Sequence, residues 1–291
     1  MTVIEPVPSS TGWLSPARLL LVGLSVPLGA ATVLGYLRGA AAEPVAGMLT
    51  WGLLVATALL PLLLVRWLAR LPPWPVVLAA LAWGGLVTPP LAIVGVDLWG
   101  GFFASLLAGE AGTAWSAAIA AGPIEEAYKL LGVAAIGLAF HRQARGVIGG
   151  CVVGMLVGLG FETVENAAYL SAFAATKFDP GGPIASVLSA YPLRAVVGGL
   201  YAHVALTGLA GAALGWAVDR PSFGRLAGLI VAIIGVAATH AVLNVAPLVP
   251  PGQPWTNNEI PALLLVTAIR SLPFVLLVLL LVMGRSTRAA R

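Results

Sequence analysis

Long apolar runs, interrupted by arginine, proline and glycine, follow one another along almost the whole chain of 291 residues. A helix that crosses a bilayer needs about 20 mostly apolar residues, and the runs are of this length. The pattern predicts about eight spans, with approximate bounds 19–37, 45–65, 74–95, 116–140, 146–174, 189–217, 226–249 and 260–284. We therefore expect an all-α fold, a polytopic bundle of membrane helices.

The spans leave no room for a separate soluble domain. We divide the chain into a cytoplasmic segment 1–18, a membrane domain 19–284 and a basic cytoplasmic tail 285–291. The polar residues discussed below fall within a core of about 116–249. Residues 98–109 are apolar but too short to span, which predicts a separate interfacial or re-entrant helix on the outer side of the membrane.

Composition agrees with a location in the membrane. Hydrophobic residues make up 59% of the chain, charged residues 9%, and the mean hydropathy is +0.99, which excludes an ordinary soluble domain. Most arginines fall between spans on one predicted side, which should be the cytoplasmic side, together with both termini. They are Arg18, Arg66, Arg70, Arg142, Arg145, Arg220, Arg225, Arg285, Arg288 and Arg291. Because these charges follow the topology, the net charge of +4 indicates no nucleic-acid partner.

Ionisable residues also occur deep inside four predicted spans, where each costs roughly 2.5 to 3.5 kcal/mol if left unpaired. They are Glu125, Glu126, Lys129, Glu162, Glu165, Arg194 and Arg270. Such residues must face one another or a water-filled cavity. Structural ion pairs would explain single arginines, but they would not need so many acids.

Helical spacing groups the acids of the fourth span around one cation. Glu125 and Lys129 are four residues apart, and Glu126 and Lys129 are three apart, so one ammonium can reach both carboxylates. Two carboxylates crowded in a site of low dielectric are suited to general acid and base chemistry. In the fifth span, Glu165 and Asn166 share a face with Glu162.

Two histidines lie inside spans, where helix packing alone would not require them: His203 in the sixth and His240 in the seventh. Asn244 follows His240 by four residues, so an imidazole and a carboxamide project from one face. Such a pair could orient a water molecule and donate to an oxyanion. A rise of about 1.5 Å per residue places the polar residues of all four helices in one layer, in the middle to outer leaflet.

Four segments resemble the motifs of the PrsW-type intramembrane protease family, which is related to the CAAX prenyl endopeptidases. They are GPIEEAYKLL (122–131), GLGFETVENAAY (158–169), HVALTGLAG (203–211) and THAVLN (239–244). The resemblance implies a site made of Glu125, Glu126, Phe161, Glu165, Asn166, His203, His240 and Asn244, with Lys129 in support. Glu162 departs from the family pattern and is either a further member of the site or a partner for Arg194.

Members of this family clip the extracytoplasmic part of single-span regulatory proteins, notably anti-sigma factors, as the first cut of a signalling cascade. The resemblance therefore implies a hydrolase of the bacterial cell membrane that carries out regulated proteolysis on a membrane-anchored substrate. Two alternatives remain at this point: a proton-coupled transporter, since membrane acids and histidines also relay protons, and a hydrolase of lipid or prenylated substrates.

The favoured mechanism is hydrolysis by a water that Glu125 or Glu126 deprotonates and that His203 and His240 hold, with Asn244 or Asn166 stabilising the oxyanion. A second version uses zinc, bound by His203, His240 and Glu165, so the sequence makes no cofactor certain and leaves zinc as an alternative. The HExxH motif of many zinc proteases is absent from the sequence, so the residues do not decide between the two versions.

Overall fold

The computed structural model describes residues 16–106, 111–141, 145–192, 194, 202–245, 268 and 271–284. These residues are helical and include no strand, which confirms the all-α expectation for this part of the chain. The helices are α1 (Pro16–Ala42), α2 (Pro44–Leu68), α3 (Trp74–Ala82), α4 (Thr88–Leu106), α5 (Ala111–Ala139), α6 (Gly146–Ala175), α7 (Pro183–Pro192), α8 (Ala202–Asp219), α9 (Phe223–Val245) and α10 (Ser271–Gly284). A π-helical turn, Trp83–Val87, joins α3 to α4.

Four of the described helical segments are long and apolar enough to cross a bilayer. They are Pro44–Leu68, Trp74–Phe102, Gly146–Ala175 and Phe223–Asn244. The chain is therefore a membrane protein with several apolar helices. Residues 1–15, the basic tail 285–291 and, at the start of the predicted eighth span, residues 260–267 and 269–270 with Arg270 lie outside the described residues.

The prediction of a separate interfacial or re-entrant helix at residues 98–109 is wrong for residues 98–106, the part of this segment that the structure describes. Residues 98–106 continue α4, so that α3, the π turn and α4 form one helical segment from residue 74 to residue 106. At a rise of about 1.5 Å per residue this segment is about 50 Å long, whereas the hydrocarbon core is about 30 Å thick. The prediction failed because it took the bilayer thickness as the limit of the helix.

The centre of the fold is α6, which packs closely against α8 through glycine. A Cβ atom on Gly154 would collide with the carbonyl oxygen of Thr207, and one on Gly158 would collide with that of His203. Small residues allow two helix backbones to approach in this way in membranes. The close contact of α6 with α8 therefore depends on glycine at these positions.

Two further close contacts of glycine with backbone position the π turn against α6, and α5 against α9. Gly84 of the π turn lies against the backbone of Val157 on α6. Gly122 of α5 lies against the backbone of α9, where an added Cβ would be 2.6 Å from the amide nitrogen of Ala241. Since Ala241 is next to His240, this second contact brings the acids of α5 to the histidine of α9.

Candidate active site

Four helices bring their polar side chains into one buried group, which we call the polar cluster. It consists of Glu125, Glu126 and Lys129 from α5, Glu165 from α6, His203 from α8 and His240 from α9. The two histidine rings lie with their centroids 4.8 Å apart. The predicted convergence of these residues in one layer therefore agrees with the structure.

Lys129 lies at the centre of the polar cluster and is fully buried. Its Nζ atom is 2.7 Å from Glu126 Oε1, 3.6 Å from Glu125 Oε2 and 2.8 Å from His203 Nδ1. The same atom lies 4.0 Å from the centroid of the Phe161 ring, a cation–π contact. Because an ammonium group only donates, His203 Nδ1 must be the acceptor, which assigns the imidazole proton to Nε2.

Glu126 has a hydrogen-bond partner at each carboxylate oxygen. Oε1 accepts from Lys129 and from His240 Nδ1, which is 3.0 Å away, and Oε2 accepts from Thr207 Oγ1 at 3.0 Å. The sequence prediction missed Thr207, although it follows His203 by four residues on a buried helix. Glu126 is thus fully engaged in holding its neighbours.

Glu165 connects His203 to Arg194. Its Oε2 atom accepts from His203 Nε2 at 3.0 Å and from Arg194 Nη2 at 3.1 Å. Arg194 Nε donates to Asn166 Oδ1 at 3.1 Å, and the guanidinium carbon lies 3.8 Å from the centroid of the Tyr169 ring. The guanidinium therefore fixes the orientation of both Glu165 and Asn166, and Tyr169 is a second residue that the prediction missed.

Glu125 differs from Glu126, because its Oε2 atom is buried and forms no hydrogen bond with any described residue. This oxygen lies 3.6 Å from His240 Nε2. The Nδ1–H group of His240 donates a hydrogen bond to Glu126, so the Nε2 atom carries the lone pair of the neutral ring. Two hydrogen-bond acceptors without a proton between them thus face each other in the interior.

Glu162 is buried beside the polar cluster but does not pair with Arg194, which bonds to Glu165 instead. Of the two alternatives for Glu162, the partnership with Arg194 is therefore wrong, and membership of the site stays a prediction. Neither Glu162 oxygen forms a hydrogen bond within the described residues. The side chain lines a crevice between α2 and α6 together with Thr57 and Thr163.

Asn244 lies on α9 one turn beyond His240 and is half-buried. Within the described part of the chain, no hydrogen bond joins its carboxamide to the polar cluster. Its amide nitrogen has two donor hydrogens, and no described residue of the polar cluster accepts them.

With this geometry established, comparisons with known proteins identify the family. A family model for PrsW family intramembrane metalloproteases matches residues 72–281, more than two thirds of the chain. The chain belongs to the PrsW family of intramembrane metalloproteases. No curated protein and no solved structure matches the chain. The matched range includes every residue of the polar cluster, and PrsW membership shows that the protein is an intramembrane peptidase.

Members of the PrsW family are described as metalloproteases, and three residues of the polar cluster are close enough together to bind one metal ion. Glu125, His203 and His240 each offer a ligand atom, and these atoms lie within 4.8 Å of one another. The acid of this trio is Glu125 and not the predicted Glu165, which is bonded to His203.

The hydrogen bonds of the trio do not fit a catalytic metal ion. Glu125 Oε2 and His240 Nε2 are free to bind a metal, but both nitrogens of His203 are engaged, one by Lys129 and the other by Glu165. Catalytic zinc sites use three protein ligands. As arranged here, the trio supplies two ligand atoms and not three.

Proposed function

We propose that this intramembrane peptidase cleaves a single-span membrane protein in the outer half of the bilayer, with a water molecule that Glu125 activates. The family match supports peptide-bond hydrolysis and disfavours a transporter or a hydrolase of lipids. With eight spans and both termini cytoplasmic, as the arginine pattern indicates, the polar cluster lies in the middle to outer leaflet.

The proposed substrate is a regulator of the anti-sigma-factor kind, anchored in the cell membrane by one helix. A site in the outer half of the bilayer would make the first cut, on the extracytoplasmic side. Such a cut is the start of regulated proteolysis, in which a signal is passed across the membrane by removal of an external segment.

The observation that carries the mechanism is the pair of free acceptors at Glu125 Oε2 and His240 Nε2, which are 3.6 Å apart. A water molecule that donates one proton to each atom would satisfy both of them. Glu125 then takes one water proton as the water oxygen attacks the carbonyl carbon of the scissile peptide. Glu126 acts differently: its Oε1 atom accepts a hydrogen bond from the Nδ1–H group of His240, and this keeps the Nε2 lone pair directed at the water.

The tetrahedral intermediate needs a donor for its oxyanion, and Asn244 is the residue we assign to this role. Asn244 lies on α9 one turn from His240, whereas the carboxamide of Asn166 is oriented towards Arg194, which donates to its Oδ1 atom. The proton on Glu125 passes to the leaving nitrogen as the carbon–nitrogen bond breaks. No step uses a metal ion, because His203 has no lone pair left to bind one.

The test compares two matched variants, Glu125→Gln and Glu126→Gln, in the protein reconstituted with a panel of single-span peptides. Loss of a general base should lower kcat roughly 100- to 10,000-fold, so Glu125→Gln should lose turnover with an almost unchanged melting temperature. Glu126→Gln should lower both, because its oxygens hold Lys129, His240 and Thr207. A folded, inactive Glu126→Gln beside an active Glu125→Gln would assign the base to Glu126 and reject the mechanism.

A further inference from the structure

Lys129 occupies an unusual position for a positive charge, because it lies among the three residues that have the spacing of a metal site. Its Nζ atom is 2.8 Å from His203 Nδ1 and 3.6 Å from Glu125 Oε2. The side chain has no exposed surface, and Phe161 covers the ammonium at 4.0 Å. The charge therefore cannot turn outward to water while the surrounding helices stay in place.

His203 shows how this position bears on metal binding. A neutral imidazole has one lone pair, and a metal ion binds through that lone pair. In this protein the lone pair on Nδ1 accepts a hydrogen bond from Lys129, and the other nitrogen donates to Glu165. A metal ion at His203 would have to displace the ammonium group from the same lone pair.

The charge of Lys129 also opposes metal binding, in addition to its hydrogen bond with His203. A divalent ion bound to His203 and Glu125 would lie within a few ångströms of the buried ammonium. Two positive charges at such a distance repel strongly where water does not screen them. The two acids nearest to Lys129, Glu125 and Glu126, already have a cation between them.

We propose that Lys129 is the resident cation of the polar cluster and excludes a divalent metal ion from Glu125, His203 and His240, so that removal of its charge creates a metal site. The proposal concerns binding alone. It can therefore be tested without a substrate, and its failure is distinct from a failure of the proposed hydrolysis.

The main experiment titrates Co²⁺ into the purified full chain and follows the visible absorption of the bound ion. Lys129→Met keeps the length and apolar stem of the side chain but removes its charge. We expect Lys129→Met to bind one Co²⁺ about 100-fold or more tightly than the wild type, since a single buried like charge is removed. The double variant Lys129→Met/His203→Ala should lose this gain, because it lacks the lone pair that the first substitution frees.

Glu165→Gln is the matched control, because it alters the other nitrogen of His203 and leaves Lys129 in place. It should bind Co²⁺ as weakly as the wild type. Equal Co²⁺ affinity of the wild type and a folded Lys129→Met variant would overturn the proposal.

A measurement on the unaltered protein covers the case in which Lys129→Met does not fold. A ligand that binds only the native state raises the melting temperature. We expect Zn²⁺ to leave the melting temperature of the wild type unchanged. A rise that disappears in His203→Ala would show that the metal enters the trio beside Lys129, and the proposal would then be wrong.

Discussion

The indole nitrogen of Trp83 donates a 3.0 Å hydrogen bond to the carbonyl oxygen of Tyr128. Tyr128 directly precedes Lys129 on α5, and Trp83 is a buried residue of the π turn that also lies against Gly132. The π turn thus supports, from behind, the part of α5 that presents Glu125 and Lys129. Short π-helical turns inside α-helices are frequent near functional sites, and this one has a definite contact to explain its position.

Replacement of Trp83 by phenylalanine should remove this hydrogen bond and leave the Tyr128 carbonyl with one partner fewer. We expect the free energy of unfolding to fall by about 1 to 3 kcal/mol, the range for loss of one partner of a buried hydrogen bond. Thermal unfolding in detergent measures the change. Trp74→Phe is the matched control, because Trp74 is 68% exposed and should tolerate the substitution.

Gly158→Ala should disturb the backbone contact between α6 and α8 at the position of His203. The added Cβ would collide with the carbonyl oxygen of His203, so the helices must separate or tilt. Overpacking of this kind costs about 1 to 3 kcal/mol, and the shift of His203 should also lower turnover. Gly52→Ala provides the comparison, since no atom lies within 4 Å of its added Cβ. Equal melting temperatures for the two variants would contradict the described contact.

Thr207→Val should show whether the hydroxyl that faces Glu126 matters. The substitution leaves Glu126 Oε2 buried without its 3.0 Å donor, which should cost about 1 to 3 kcal/mol of stability and reduce kcat. Thr57→Val changes the same atoms on α2, where the hydroxyl donates to the backbone carbonyls of Leu53 and Leu54. We expect that control to remain within about 0.5 kcal/mol of the wild type.

Glu162→Leu should stabilise the protein, because both carboxylate oxygens are buried and have no hydrogen-bond partner among the described residues. Replacing such a group by an apolar one of similar size removes a desolvation cost of about 1 to 3 kcal/mol. We expect a higher melting temperature and turnover within about tenfold of the wild type. A folded but inactive variant would instead make Glu162 a member of the active site.

Removal of metal should leave the activity intact. Because His203 has no free lone pair, exhaustive chelation should not change kcat, and elemental analysis of the active protein should find no stoichiometric zinc. Recovery of lost activity by zinc alone, after chelation, is the result that would refute this expectation.

The sequence was sufficient to predict the helical class and most of the residues that meet. Hydropathy located the helices, and the spacing of Glu126 and Lys129 on α5 predicted an ion pair that the structure contains at 2.7 Å. These features follow from one helix at a time, because the period of the α-helix fixes which side chains share a face.

Contacts between helices were harder to predict. The sequence could not assign different roles to Glu125 and Glu126, since the difference depends on Thr207 and His240, which come from two other helices. It also left Glu162 as either a further member of the site or a partner for Arg194, whereas Arg194 pairs with Glu165, three residues away on the same face. The rotation of a helix about its own axis determines which of its acids faces a residue on another helix. That rotation depends on the glycine contacts between the packed helices.

The helices of the polar cluster differ in how much of their surface meets lipid. In α6, which carries Glu165, 78% of the spanning stretch is buried within the protein, against 17% in α9, which carries His240. A change in bilayer thickness tilts or shifts the helices that lie against the acyl chains. Lipid composition should therefore act on the site through α9, by altering the distance of His240 from Glu126.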